Sequence, residues 1–296
     1  MLIQLLKNRN IFRVFSSIGR NTQVLFKLRL ASHPYITGDG FRKIAQHVFD
    51  ETTKKDSFDP LSVKQGDIVF VKSDMLDVFF ATHHRSIAEP YKLITHNGDR
   101  NISEADLKYI DNNIIHWYAQ NVNIVHPKIT PIPIGLENRW YFINGIPFLF
   151  NYFRKRIFSK RQNEVRTDKI LFGFNVATNV RKRELALQQL RARTDAVEIK
   201  GPLTPYSYLA ELGQYTRVAS PEGNGLDCHR TWEALYLGTI PIVTRSVAAE
   251  YFCRIGIPLC IIDDWRNIPV ATRLKHDKIH PLYIDYWIKK IINDSN

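Results

Sequence analysis

The run Ser220-Pro221-Glu222-Gly223-Asn224-Gly225-Leu226-Asp227-Cys228-His229-Arg230-Thr231-Trp232-Glu233-Ala234-Leu235-Tyr236-Leu237-Gly238-Thr239-Ile240-Pro241-Ile242-Val243 decides how the chain is read. It predicts a strand end, a glycine turn, a helix and a further strand. Gly223 and Gly225 admit positive φ and let backbone approach a ligand. Asp227 reads as the N-cap of the helix, and Gly238 suits the C′ position at its end. A helix N-terminus reached through a glycine turn offers free N–H groups and a partial positive charge, which suits phosphate. Glu222, Asn224, Gly225, His229 and Arg230 gather at that end. Glu233 follows on the helix, where a carboxylate accepts hydrogen bonds from sugar hydroxyls.

Working outward, strands are expected at 169–174, 196–199, 216–220 and 259–262, and helices at 181–191, 205–215, 247–255 and 279–292. Such alternation implies a parallel sheet with helices on both faces. The first half is a looser version. Compact apolar strands fall at 68–71 and 92–95, and a strand or buried turn at 114–119. The segment 128–134 is broken by Pro131 and Pro133 and so belongs at an edge. Helical patterns cover 41–49, after the Gly38-Asp39-Gly40 turn, and 75–88; Ser103 and Asp106 resemble a capping box. The reading is an α/β fold of two Rossmann-like domains facing a cleft, 1–150 and 151–296, with the last helix packing back on the first domain. Between them Phe148, Phe150, Tyr152 and Phe153 precede Arg154, Lys155, Arg156, Lys160 and Arg161. This tract reads either as an amphipathic connecting helix or as a contact for anionic lipid or an acidic acceptor.

The formal net charge of +12 favours anionic partners. Cys228, Cys253 and Cys260 form no CxxC pair, which indicates neither a disulfide framework nor a zinc site, and suits a reducing compartment. No stretch approaches the roughly 18 apolar residues that span a bilayer. The first 35 residues carry Lys7, Arg9, Arg13, Arg20, Lys27 and Arg29 with no acid. A packed helix, a membrane-surface helix or a transit peptide all fit that pattern. A cytoplasmic protein, peripheral on the inner face of a membrane, is expected.

Asn175, Thr178, Asn179, Arg181 and Arg183 follow the 169–174 strand and precede a helix, a second phosphate-binding arrangement. Together with the glycine turn they would clamp a diphosphate. No two aspartates flank a single residue, so the pattern that holds a nucleotide diphosphate through a divalent ion is absent from the sequence; no metal and no cofactor are expected. Opposite, His96, Asp99, Asp39 and Glu137 lie in turns where each could take a proton from a hydroxyl. Spacing does not choose among them.

The stretch from Ser220 to Val243 resembles the C-terminal motif of exostosin-like (family 47-type) glycosyltransferases and, more broadly, the nucleotide-sugar half of the GT-B fold. Phe174-Asn175-Val176-Ala177-Thr178-Asn179-Val180-Arg181 is similar to the donor-phosphate loop of such enzymes. The resemblance implies a metal-independent, inverting hexosyl- or pentosyltransferase. It would use a UDP- or GDP-linked sugar and a saccharide acceptor, perhaps lipid-linked. Glu233 would hold the ribose, Arg181, Arg183 and Arg230 would neutralise the diphosphate, and His96 or Asp99 would activate the acceptor. Two other readings compete. A dinucleotide oxidoreductase would use Gly223-Asn224-Gly225 as the start of GxGxxG, but Cys228 stands at the third glycine. A non-catalytic polyanion or nucleic-acid binder would need aromatics interleaved with basic residues, which only 148–161 supplies.

Overall fold

The computed structural model describes residues 7–25, 29–53, 58–139, 145–159, 166–269 and 280–294. It contains two parallel five-stranded sheets. The first takes its strands in chain order: β1 (His47–Phe49), β2 (Ile68–Lys72), β3 (Tyr91–His96), β4 (Ile114–Ala119) and β5 (Ile129–Pro131). The second runs β10-β9-β8-β6-β7, with β6 Thr167–Phe172, β7 Ala196–Glu198, β8 Tyr215–Ala219, β9 Ile240–Thr244 and β10 Cys260–Ile262.

Strand β2 opens on an unbroken apolar run, as suits a strand covered on both faces. Ile68, Val69, Phe70 and Val71 are all buried, and Val69 lies opposite Leu93 across the β2–β3 ladder. The proline-containing β5 is an edge strand, as its sequence predicts.

The helices are α1 (Arg9–Leu25), α2 (Gly38–Arg42), α3 (Leu76–Thr82), α4 (Pro147–Ser159), α5 (Val180–Arg191), α6 (Pro205–Leu212), α7 (His229–Tyr236), α8 (Val247–Arg254) and α9 (Ile284–Asn293). The 41–49 segment is not one helix. The helix starts at Gly38, where the Thr37 hydroxyl accepts from Gly40 N, and ends at Arg42. Val48 and Phe49 then form β1 against Phe70 and Val71, because two β-branched or aromatic residues next to an apolar strand gain more by pairing than by coiling.

The aromatic-basic tract folds as α4. Phe150 and Phe153 are buried in a core shared by the two halves, beside Tyr35, Tyr206 and Tyr236. Arg154 donates to the Tyr236 carbonyl (3.0 Å) and the Tyr283 hydroxyl (2.8 Å). The buried aromatic side of the tract thus joins the two halves, while Lys155 and Arg156 are exposed; residue 150 falls inside α4. Lys27, Lys160, Arg161 and residue 279 lie outside the described residues.

The last helix packs on the first sheet, as expected. Ile284, Trp287 and Ile291 are buried. Lys92 Nζ, rising from β3, donates to the carbonyls of Ile291 (2.8 Å) and Ile292 (3.0 Å) at the end of α9. A cation there complements the helix dipole. Among the described residues no helix is long and apolar enough to cross a membrane.

Candidate functional site

In the second sheet β6 has β7 on one side and β8 on the other. The strand order thus reverses at β6/β8, and the loops leaving these two strands part at their carboxyl ends. Ligands of open α/β sheets bind in the crevice at such a point. A cavity of about 790 Å³ lies there. One wall is the 173–178 loop after β6, another the 223–230 turn after β8, and a third the 199–205 loop after β7. Asp99 and Ile134 close it from the first half.

Two guanidinium groups flank the Phe174 ring, Arg183 at 5.8 Å and Arg230 at 5.9 Å from its centre. Arg183 is buried. Its Nε donates to Glu222 O (2.9 Å), Nη1 to Asn175 O (2.8 Å) and Nη2 to Pro221 O (3.4 Å), which joins the two phosphate-type loops. Arg230 Nη2 donates to Gly173 O (2.9 Å). These acceptors are neutral main-chain carbonyls, and neither guanidinium forms an ion pair with a described carboxylate. Burial, with Arg230 adding repulsion, lowers the Arg183 pKa. Two positive charges at a sheet switch point, Arg183 buried and Arg230 half-buried, attract an anion.

The glycine turn is built differently from its sequence reading. Neither Gly223 nor Gly225 has positive φ; that conformation falls to Gly238 (φ 70°), the C′ residue of α7. Gly225 is required for space instead, because a Cβ there would lie 2.3 Å from Asn121 Nδ2. Asn121 is buried and accepts from Asp227 N (3.0 Å). Gly225→Ala is expected to displace this amide and lower stability by about 2 kcal/mol, measured by urea unfolding.

Asp227 is not the cap either. Its carboxylate accepts from Ile134 N (2.9 Å) across the cavity and from Trp232 Nε1 (2.8 Å) and Cys228 N (2.8 Å). Burial still outweighs these bonds and raises its pKa to about 6. Cys228 becomes the N-cap, without a side-chain hydrogen bond, so no side chain covers the first turn of α7.

His229 opens α7. Its Nδ1 lies 2.8 Å from Gly135 O, and a carbonyl only accepts, so Nδ1 carries the proton and Nε2 presents a lone pair. Burial lowers its pKa, which keeps the ring neutral, while nearby Asp99 pulls the other way. Asp99 accepts from Asn224 Nδ2 (2.9 Å). Glu233, one turn on, is buried beside Tyr208; burial raises its pKa to about 7, opposed by Arg230 and reinforced by Glu137. The Tyr208 hydroxyl, buried beside Glu233 and Arg230, is likewise raised.

Asn175, Thr178, Arg183, Asn224, Gly225, His229, Arg230, Glu233 and Asp99 thus converge on one cavity. Other sequence candidates do not join them. Arg181 is exposed on the far side of α5 from Arg183. Asn179 is consumed as the N-cap of α5 and as a donor to Gly223 O (2.8 Å). Glu222 turns to the opposite side of the turn, where Lys182 (2.6 Å) and the Thr244 hydroxyl (3.0 Å) hold it.

His96 is buried and doubly engaged. Nε2 faces Pro133 O (3.1 Å), Nδ1 accepts from Asn97 N (2.7 Å), and burial lowers its pKa to about 4. It has no lone pair to offer as a base. Asp39 is also buried, its carboxylate paired with Arg29 (3.2 Å) and its main-chain N–H donating to the amide oxygen of Asn138 (2.9 Å). Glu137 does not line the cavity, and its charge raises the Glu233 pKa. Sequence reasoning missed Tyr208; the Lys200-Gly201-Pro202 turn at a strand end, a weak signal in the sequence, proves to be the third wall.

No protein-family model matches the chain, and no curated protein matches it significantly in sequence. Among the described residues no group of three or more His, Cys, Asp or Glu is placed to hold a metal ion.

Proposed function

We propose that the protein is a glycosyltransferase whose two sheets form a GT-B-like pair. In this reading a nucleotide-diphosphate sugar binds the switch-point cavity and a saccharide acceptor approaches from the side of Asp99 and Ile134. The observation that carries it is the pair of guanidinium groups, Arg183 and Arg230, that flank Phe174 without a described carboxylate partner. Beside the first turn of α7 they would hold the diphosphate and stabilise the charge that develops as it leaves. Glu233 would take the ribose hydroxyls.

The acceptor oxygen would bond to the anomeric carbon as the carbon–phosphate oxygen bond breaks, the electron pair leaving with the diphosphate and the configuration inverting. The acceptor proton would pass to Nε2 of His229, whose ring the Gly135 carbonyl orients, with Asp99 beside it to stabilise the resulting imidazolium. This moves to His229, with Asp99 beside it, the role that the sequence offered to His96 or Asp99.

A thermal-unfolding panel of nucleoside diphosphates tests the reading. One base should stabilise the wild type by about 2.7 kcal/mol at a hundredfold excess over Kd, and Arg230→Met should lose that response. His229→Gln should keep it yet lose turnover. Equal stabilisation by any polyphosphate, lost in salt, would indicate a polyanion binder instead.

A further inference from the structure

The exposed face of α1 does not belong to the cavity, yet its sequence is far from neutral. Phe12 and Gln23 point inward and are buried. On the other side Val14, Phe15, Ile18 and Leu25 are 59%, 45%, 57% and 75% exposed. At about 100° per residue these four fall within one apolar stripe of the helix. Arg9, Arg13 and Arg20 are exposed and lie within about 40° of one another, next to the buried side, with Asn10, Ser17 and Asn21 between them and the apolar stripe. No acidic residue precedes Asp39 in the chain.

The helix is tied to both flanks of the cavity. Lys7 Nζ lies 5.4 Å from the centre of the Tyr206 ring, on the helix that carries Tyr208. Gln23 Nε2 donates to Arg139 O (2.8 Å), just past the turn that contributes Ile134 and Gly135. Solvent is a poor partner for a stripe of large apolar side chains. An apolar stripe on a helix whose only charges are arginines matches the boundary between acyl chains and anionic head groups, with the helix lying in the plane of the interface.

We infer that α1 seats the protein on an anionic bilayer surface through Val14, Phe15, Ile18 and Leu25, with Arg9, Arg13 and Arg20 at the head groups. Seated this way, the cavity flanks meet the membrane, and the acceptor is a lipid-linked saccharide; that last clause rests on the glycosyltransferase reading.

Flotation of the full chain with phosphatidylcholine vesicles, with and without phosphatidylglycerol, tests the seat. Wild type should float with the anionic vesicles and be released by salt. The double variant Phe15→Ser, Ile18→Ser should bind at least about tenfold more weakly. Arg9→Gln, Arg13→Gln, Arg20→Gln should lose the preference for anionic lipid. Both variants should keep the wild-type melting temperature, since the altered side chains are exposed. Failure of wild type to float in low salt overturns the inference, as does unchanged binding by the serine variant. A serine variant that turns a dimer into a monomer while still floating also overturns it and marks a self-association face. Flotation without any nucleoside-diphosphate response leaves the membrane seat standing and removes the glycosyltransferase reading.

Discussion

Arg183→Met should lower the unfolding free energy by about 3 kcal/mol and abolish nucleoside-diphosphate binding. The methionine fills much of the arginine stem but donates to nothing. The carbonyls of Glu222, Asn175 and Pro221 would then lose a charged donor in a buried place. Such bonds contribute about 1.5–3 kcal/mol each, and three on one group do not add. Without them the 173–178 and 220–228 loops lose their cross-link, so the cavity widens as well as losing a charge. Arg230→Met serves as the comparison. Its guanidinium donates to the Gly173 carbonyl and does not bridge the two loops, so ligand response should fall with a smaller loss of stability. Urea unfolding with titration calorimetry on both variants separates the two effects. Equal stability loss in both would contradict the assignment of Arg183 as the bridge.

Glu233→Gln should make the protein more stable at pH 8 while weakening the nucleotide complex. The carboxyl pKa stands near 7 in the folded protein against 4.5 in its ordinary state. A folded acid with a raised pKa holds its proton more tightly than the unfolded chain does. Its contribution is fully present below pH 4.5 and is lost as pH rises through 7. At about 1.4 kcal/mol per pKa unit the loss amounts to about 3 kcal/mol by pH 8. Glutamine removes that dependence, so wild type and variant should have similar stability at pH 4 and diverge towards pH 8. Denaturant titrations at the two pH values measure it. A variant that is less stable than wild type at pH 8 would show the ionised carboxylate to be favourable where it sits. A glutamate kept at this cost to the fold points to a ligand that needs it, since functional sites commonly sacrifice stability.

The second sheet was legible because its strands are short apolar runs set off by glycine, proline and cap residues. Ile240-Pro241-Ile242-Val243 and the helix before it lie where the pattern places them. Strand edges and caps are local properties, and local rules reach them. The direction of a side chain is not local. Arg181 and Arg183 are equally attractive in the sequence, but two helical residues are about 200° apart, so a cavity meets one and solvent the other. Asp227 has the spacing of a cap, yet Trp232 and Ile134 compete for its oxygens and win. His96 ends a strand and His229 opens a helix, and both stand at the edge of a turn. Only the surrounding carbonyls decide which keeps a lone pair. Asn121, at φ 57° with its amide under Gly225, had no signal of its own, because its partner lies more than a hundred residues away.

The position of α9 has a bearing on how the molecule is made. Ile284, Trp287 and Ile291 complete the packing around Tyr35, Phe41 and Phe70 of the first half, and Lys92 waits in β3 for carbonyls contributed by the end of α9. On the ribosome the first sheet emerges some two hundred residues before the helix that covers it. Until then an apolar face and a lysine lie open to other chains. The first half is thus completed only by its own carboxyl end, and vectorial synthesis leaves its packing open for the time that the second half takes to be translated.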